Sequence, residues 1–134
     1  MIVVDTSVMI NLFKGRETPA VLRLKELLSM NIPFCIPDIC CQELLQGARN
    51  EQEWGTLRDY LSGQEILCPT DPWGVSIRAA RIWYDCRRAG VTVSSSVDCR
   101  IAQLTLDVDG WLLHEDSDFD LIGELRPLKM WPTN

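Results

Sequence analysis

The stretch MIVVDTSVM, residues 1–9, places an acidic side chain directly after a short apolar run. Residues 2–4 are β-branched and apolar, which is typical of a strand buried on both faces of a sheet. Asp5, Thr6 and Ser7 follow with side-chain oxygens that suit the start of a helix. The stretch therefore predicts a buried strand that passes directly into a helix, with Asp5 at the junction.

Short apolar runs alternate with segments of helical periodicity along the rest of the chain. The clearest helical spacing is that of Val75, Ala79, Ile82 and Cys86, after the cap-like pair Asp71-Pro72. Such alternation predicts an α/β fold with a mainly parallel sheet of four or five strands, covered by helices on both faces. Further strands are predicted at residues 34–36, 65–67, 111–113 and, more weakly, 128–130.

Three more acidic residues occupy positions comparable to that of Asp5. Asp116 lies just past the strand predicted at 111–113, Asp98 lies in the opening turn of a helix, and Glu43 lies on the helix after residues 34–36. Ligands of open parallel sheets bind beyond the carboxyl ends of the strands, where the strand order switches. We expect the aspartates to converge there if the first and fourth strands are neighbours.

Each acid taken alone also has a purely structural explanation. Asp5 can cap a helix, Asp98 can interact with a helix dipole, Asp116 can belong to a turn, and Glu43 can be a solvated charge. Taken together they would repel one another, by roughly 4 kcal/mol for two charges about 4 Å apart at an effective dielectric of 20. A hard divalent cation such as Mg²⁺ or Mn²⁺ would compensate that repulsion, and such ions prefer oxygen ligands.

The composition of this chain of 134 residues limits its possible partners, metal sites and domain organisation. The formal net charge of −6 argues against a nucleic-acid partner, an objection that weakens if a metal neutralises several acids. The six cysteines form no C-x-x-C pair and His114 is the single histidine, which argues against a zinc site and for a reducing cytoplasmic setting. No signal peptide, membrane span, repeat or linker is visible, so a single soluble domain over residues 1–134 is predicted.

Three stretches of the chain resemble the PIN-domain ribonucleases, and in particular the VapC-type toxins of toxin–antitoxin systems. MIVVDTSVMINLF is similar to the family's strand ending in Asp-Thr-Ser, GVTVSSSVDCRIAQLTL to its Asp-x-x-Ile-Ala helix, and WLLHEDSDFDLI to its strand followed by Asp-x-Asp-Phe. Glu43, in IPDICCQELLQGA, falls where the family has a helical glutamate. The resemblance covers nearly the full length, with the motifs in the expected order and spacing.

The resemblance implies a PIN-like three-layer α/β/α sandwich and a metal-dependent endoribonuclease that hydrolyses RNA phosphodiesters with a metal-activated water. Asp5, Asp98 and Asp116 would hold Mg²⁺ or Mn²⁺, and Glu43 would act through a water. Asp118 ranks below Asp116 as a further ligand. A cognate VapB-like antitoxin would block the acidic edge, commonly with a basic residue among the acids, and a homodimer is the usual form.

One departure from the family pattern and one ambiguous helix also bear on function. Ser94 or Ser95 stands where the family often has an arginine before the Asp-x-x-Ile-Ala helix, so RNA affinity or substrate choice is open to change. On the helix after Pro72, Trp83 suits either core packing or a homodimer interface, and the arginines form either an RNA-facing stripe or a solvated face. These arginines are Arg78, Arg81, Arg87 and Arg88.

Two other classes of function are consistent with parts of the pattern. A catalytically silent PIN-like interaction module would bind a partner or RNA without cleavage, and the presence of all four acids argues against it. A phosphatase with an aspartyl nucleophile after the first strand would carry a second acid two residues later. Ser7 occupies that position, which argues against this class.

Overall fold

The sheet is built from five short parallel strands. A computed structural model describes residues 1–134, and its strands are β1 (Ile2–Val4), β2 (Ile36–Pro37), β3 (Ile66–Leu67), β4 (Trp111–Leu113) and β5 (Lys129–Met130). One ladder has the order β1-β4-β5 and another joins β2 to β3. A parallel bridge between Val3 and Cys35 links the ladders, so the overall order is β3-β2-β1-β4-β5. The predicted parallel sheet is confirmed.

Seven helices cover the sheet. They are α1 (Thr6–Phe13), α2 (Pro19–Ser29), α3 (Asp38–Gln46), α4 (Glu51–Ser62), α5 (Pro72–Arg88), α6 (Ser96–Asp107) and α7 (Ser117–Leu125). The main helix–helix contacts fall into two groups, one within α1–α4 and one within α5–α7. The fold is a three-layer α/β/α sandwich, as predicted. No helix combines the length and the hydropathy that a membrane span requires.

The strand order switches between β1 and β4. From β1 the chain crosses to β2 on one side, whereas β4 pairs with β1 on the other side, with Val4 opposite Leu113. The amide of Asp5 donates to the carbonyl of Leu113 over 3.0 Å, so the two strands end together. The loops that leave this pair of ends therefore carry the residues best placed to form a site.

Local sequence explains why helices begin at this edge. Asp5 is the N-cap of α1, Ser95 is the N-cap of α6 and Asp116 is the N-cap of α7, and each side chain accepts a hydrogen bond from a first-turn amide. Leu112, Leu113 and neighbouring core residues are fully buried beneath them. The core therefore fixes the strands, and the caps fix how the chain turns away from them.

Two details of the second strand differ from the sequence-based expectation. The strand predicted at residues 34–36 lies instead at Ile36–Pro37, where Pro37 pairs with Leu67. Asp38 is therefore already the first residue of α3, and its Oδ1 accepts from the amide of Ile39 over 2.8 Å. Proline lacks an amide hydrogen but keeps its carbonyl, so it is tolerated where the strand passes directly into the helix.

Candidate metal centre

Asp5 is held in place by the first turn of α1. Its Oδ2 accepts from the amide of Ser7 over 3.0 Å and from Ser7 Oγ over 2.5 Å. Ser7 Oγ in turn accepts from the amide of Glu115 over 3.0 Å, which ties the end of β1 to the loop after β4. Asp5 is 3% exposed, and this burial raises the pKa of its carboxyl, while the bonds from Ser7 oppose the rise.

Asp116 and Asp118 are brought into position by the start of α7. Asp116 Oδ1 accepts from the amide of Asp118 over 2.9 Å, and the amide of Asp116 donates to His114 Nδ1 over 3.2 Å. Asp118 is buried, although its sequence position alone suggests a solvated turn. The cap therefore aims two carboxylates, two residues apart, at the same edge of the sheet.

Asp98 approaches the same point from α6. It lies in the first turn, where its amide donates to Ser95 Oγ over 3.4 Å. The side chain is 6% exposed, and its Oδ2 is the one buried side-chain oxygen or nitrogen in the protein without a hydrogen-bond partner. Burial, a hydrogen bond shared with Asp116 and the charges of Asp116, Asp5 and Asp118 together raise the pKa of Asp98 to about 9.

The tightest group of carboxylates is that of Asp98, Asp116 and Asp118. Each contributes one oxygen, and these three oxygens lie within 4.8 Å of one another. Asp5 lies outside this group but interacts with it electrostatically. The charge of Asp5 raises the pKa of Asp98, and the charge of Asp116 raises the pKa of Asp5. The structure thus gathers the three predicted aspartates at one edge and adds Asp118, which sequence reasoning ranked lower.

Glu43 flanks the group from the side of α3. Its Oε1 accepts from Thr6 Oγ1 over 2.8 Å, and Thr6 directly follows Asp5. One turn earlier on the same helix, Cys40 Sγ lies 3.9 Å from Asp5 Oδ1, and burial raises the pKa of this thiol far above its usual range. Glu43 is therefore placed next to the aspartates through Thr6 rather than among them.

Two residues of the site escaped the sequence-based search. Cys40 reads as an ordinary core residue, and the single available signal is its spacing of three residues from Glu43, which puts both on one helix face. Glu115 accepts hydrogen bonds from Asn11 and Thr18, which lie about a hundred residues away in sequence. No local sequence pattern predicts these two long-range hydrogen bonds.

Charge in the site is not balanced by the protein. None of Asp5, Asp98, Asp116 and Asp118 forms an ion pair with a lysine, arginine or histidine. The donors are all carboxylate oxygens, one of them buried without a partner, which is the ligand set that Mg²⁺ and Mn²⁺ prefer. The arrangement can bind a hard divalent cation.

Most arginines of α5 contact other side chains and not the acidic group. Arg78 pairs with Asp107, Arg81 with Asp85, and the guanidinium of Arg87 lies 4.5 Å from the centre of the Trp83 ring. Trp83 itself is half-buried. These contacts favour a solvated helix face over an RNA-facing stripe.

Comparison with known proteins shows the family to which this fold belongs. Residues 2–125 match the PIN domain, so the chain belongs to the PIN-domain family. Several solved structures share the fold, although sequence identity to them is low. The structure of VapBC-1 from nontypeable Haemophilus influenzae aligns with a TM-score of 0.74 and 22% identity, covering 99% of this chain and 98% of the other. A toxin–antitoxin complex from Klebsiella pneumoniae aligns with a TM-score of 0.66 and 21% identity, covering 89% and 90%. VapBC2 of Rickettsia felis, solved bound to a promoter DNA fragment, gives 0.72 and 21% over 98% and 100%.

Relatives of higher identity narrow the family further. The chain is 34% identical over 133 residues to the VapC ribonuclease Mb1587 of Mycobacterium bovis and to ribonuclease VapC11 of Mycobacterium tuberculosis. In both cases the match covers 96% of each chain. Within the PIN-domain family the chain therefore belongs to the VapC ribonucleases, which confirms the resemblance found in its motifs.

Proposed function

We propose that this protein is a metal-dependent endoribonuclease that acts as the toxin of a toxin–antitoxin pair, with residues 1–134 forming one PIN-like domain. The observation that carries the proposal is the close group of Asp98, Asp116 and Asp118, of which Asp98 and Asp118 are buried. The charge of Asp5 acts on this group, and no lysine, arginine or histidine forms an ion pair with it. Membership of the VapC ribonucleases supports RNA as the substrate.

In this proposal Asp5, Asp98 and Asp116 hold Mg²⁺ or Mn²⁺, and Asp118 joins them. When bound, the ion stabilises negative charge on the phosphoryl oxygens and makes water a better nucleophile. The chain itself supplies the positions of the ligands: Ser7 orients Asp5, and the cap of α7 orients Asp116. Glu43, anchored by Thr6, is placed to orient a water or accept its proton.

The central experiment measures cleavage of total RNA by the purified protein with Mg²⁺, with Mn²⁺ and with a chelator. Asp98→Asn is the inactive variant, and Asp109→Asn is the matched control because Asp109 is an exposed acid paired with Lys129. We expect the wild type and Asp109→Asn to cleave RNA when Mg²⁺ or Mn²⁺ is present and to leave it intact when the chelator is present. Equal cleavage by Asp98→Asn, or none by any form under any metal, would favour the silent interaction module.

A groove beside Glu43 supports a VapB-like antitoxin as partner. It has a volume of about 740 Å³ and lies between α1, α3 and α4. Ile10 and Phe13 are 38% and 43% exposed on its wall, and the Phe13 ring meets Tyr60 edge to face. The fold neighbours named VapBC are toxin–antitoxin pairs, and an amphipathic antitoxin segment would cover such apolar groups.

Coexpression with a VapB-like antitoxin, which we expect to be encoded by a small gene beside that of the toxin, tests this partner. We expect the two proteins to copurify, and Phe13→Ala to weaken the complex while Mn²⁺ binding by the toxin stays unchanged. An antitoxin that binds Phe13→Ala as tightly as the wild type would remove the groove from the proposal.

A homodimer in a cytoplasmic setting completes the proposal. Trp73, Ile77 and Tyr84 are 75%, 50% and 50% exposed on α5, beside the half-buried Trp83, and all six cysteines are free thiols. Light scattering after gel filtration should give twice the chain mass of 15.3 kDa for the wild type and a lower mass for Trp73→Ser. A monomeric wild type would contradict the dimer and leave the nuclease proposal intact.

A further inference from the structure

Asp118 receives more hydrogen bonds on one oxygen than any other acid of the site. Its Oδ2 accepts from the amide of Ser94 over 3.0 Å, from Ser94 Oγ over 2.8 Å and from the amide of Ser95 over 3.1 Å. Oδ1 receives none. The carboxylate is therefore held at one oxygen and left free at the other.

The donors come from the short segment that leads into α6. The next residues of that helix carry Asp98, whose amide is capped by Ser95 Oγ. The same two serines thus hold Asp118 from α7 and set the start of the helix that presents Asp98. Successive amides pointing at one oxygen are a recurrent way of holding a buried anion.

The hydroxyl of Ser94 helps to offset the cost of burying the Asp118 carboxylate. Asp118 is 5% exposed, and a carboxylate removed from water is costly unless hydrogen bonds replace its hydration. The two amide donors belong to the backbone and are present with any residue except proline. Ser94 Oγ is the one side-chain donor, so it is the part of this arrangement that sequence can vary.

We propose that Ser94 is a positioning residue for the divalent-cation site, which rests on the proposed function. By fixing Oδ2, its hydroxyl keeps the Asp118 carboxylate within 4.8 Å of oxygens of Asp98 and Asp116. The carboxylate then needs no rearrangement when Mg²⁺ or Mn²⁺ enters. Without the hydroxyl, the two backbone amides alone hold Asp118, so its carboxylate is less firmly oriented and more of the binding free energy is spent on ordering it.

The test compares Mn²⁺ binding by three variants with that by the wild type, using calorimetry and the spectroscopic signal of free Mn²⁺. Ser94→Ala should weaken binding by about tenfold, the lower end of the range for groups that orient metal ligands. Ser94→Thr should restore it, because threonine keeps the hydroxyl and position 94 is exposed enough to accept a methyl group. Ser96→Ala is the matched control, since Ser96 is exposed in the same segment and makes no side-chain hydrogen bond to the acids.

Thermal unfolding with chelator separates positioning from simple stabilisation. If Ser94→Ala lowers the melting temperature of the metal-free protein but binds Mn²⁺ like the wild type, the role is structural only and the inference is overturned. Failure of Ser94→Thr to restore binding would overturn it as well. The proposed nuclease function fails by a different result, namely a wild type that binds Mn²⁺ and leaves RNA intact.

Discussion

Asp98 and Asp85 are both aspartates on helices, and the pKa values of their carboxyl groups are shifted in opposite directions. Asp85 on α5 is bonded by Arg126 over 2.7 Å and by Arg81 over 2.9 Å, and these cations lower its pKa. Asp98 on α6 is buried among three other aspartates, and its pKa rises to about 9. The first acid has its counter-ion within the protein. The second forms no ion pair with any side chain of the protein, and one of its oxygens has no hydrogen-bond partner.

This difference separates an acid that stabilises the fold from one that is a candidate for function. An acid with a partner contributes to stability at neutral pH, whereas a buried acid among like charges weakens the fold until a cation binds. Strongly raised pKa values at a cleft are a recognised mark of functional sites. The contrast supports the metal centre independently of the family relationship.

The largest effect is expected from Asp98→Asn. Loss of a direct ligand should abolish measurable Mn²⁺ binding and lower RNA cleavage by at least about 100-fold, since even groups behind the ligands contribute 10–100-fold. The melting temperature of the metal-free protein should rise at pH 8, because the carboxyl of Asp98 must take up a proton on folding at that pH and an amide need not. Calorimetry, an RNA cleavage assay and thermal unfolding measure these three outcomes. A variant that still binds Mn²⁺ normally would break the contrast with Asp85.

The next effect is stabilisation by the metal itself. Mn²⁺ at 100 times its dissociation constant should raise the free energy of unfolding by about 2.7 kcal/mol in the wild type, because the folded state alone binds it. Chemical denaturation with and without the ion measures the increase. Asp98→Asn is the control and should show none, so an equal gain in both proteins would mean that the ion binds elsewhere.

A smaller effect is expected from pH. Since the pKa of Asp98 is about 9 in the folded state and 3.8 in the reference state, the metal-free protein gains a proton on folding between these values. Its melting temperature should therefore fall as pH rises from about 4 to 9, and this slope should flatten in Asp98→Asn. Because Mn²⁺ must displace that proton, its apparent affinity should rise by up to about tenfold per pH unit below 9. An affinity independent of pH between 6 and 8 would contradict the raised pKa.

The smallest effect is expected from Asp85→Asn. This change removes the charge that Arg81 and Arg126 share and should lower the melting temperature slightly at pH 7. Since the folded-state pKa of Asp85 is lowered, its contribution is present above pH 3.8 and is lost as pH falls further, so wild type and variant should converge in acid. Mn²⁺ binding should be unchanged. A change in Mn²⁺ affinity would show that α5 is coupled to the metal centre.

Much of the fold follows from local patterns in the chain. The strand at Ile2–Val4, the helix opened by Asp5 and the long helix after Asp71-Pro72 have the predicted positions, because apolar periodicity and cap residues act over a few residues. The boundary at Pro37 was misplaced by one residue. Whether Pro37 belongs to the strand depends on the position of the neighbouring strand, which the local sequence does not specify.

The candidate site was predictable in part. Asp5, Asp98 and Asp116 each stand beside a recognisable element boundary, so their approach to one edge follows from the fold class and the family motifs. The burial of Asp118 does not follow from local sequence, because its carboxylate is held by donors from Ser94 and Ser95, more than twenty residues earlier. Glu115 and Cys40 were missed for the same reason: their partners are distant in sequence.

The amino-acid order by itself determined the alternation of strands and helices, the caps that end each strand, and the supply of acids at those caps. These features arise from backbone preferences and hydrogen bonds within a few residues. Only the tertiary structure decided that β1 lies beside β4, and therefore that four carboxylates, three of them buried, share one edge without an ion-pair partner. Burial and the mutual repulsion of charges depend on distances in space, which chain order does not specify.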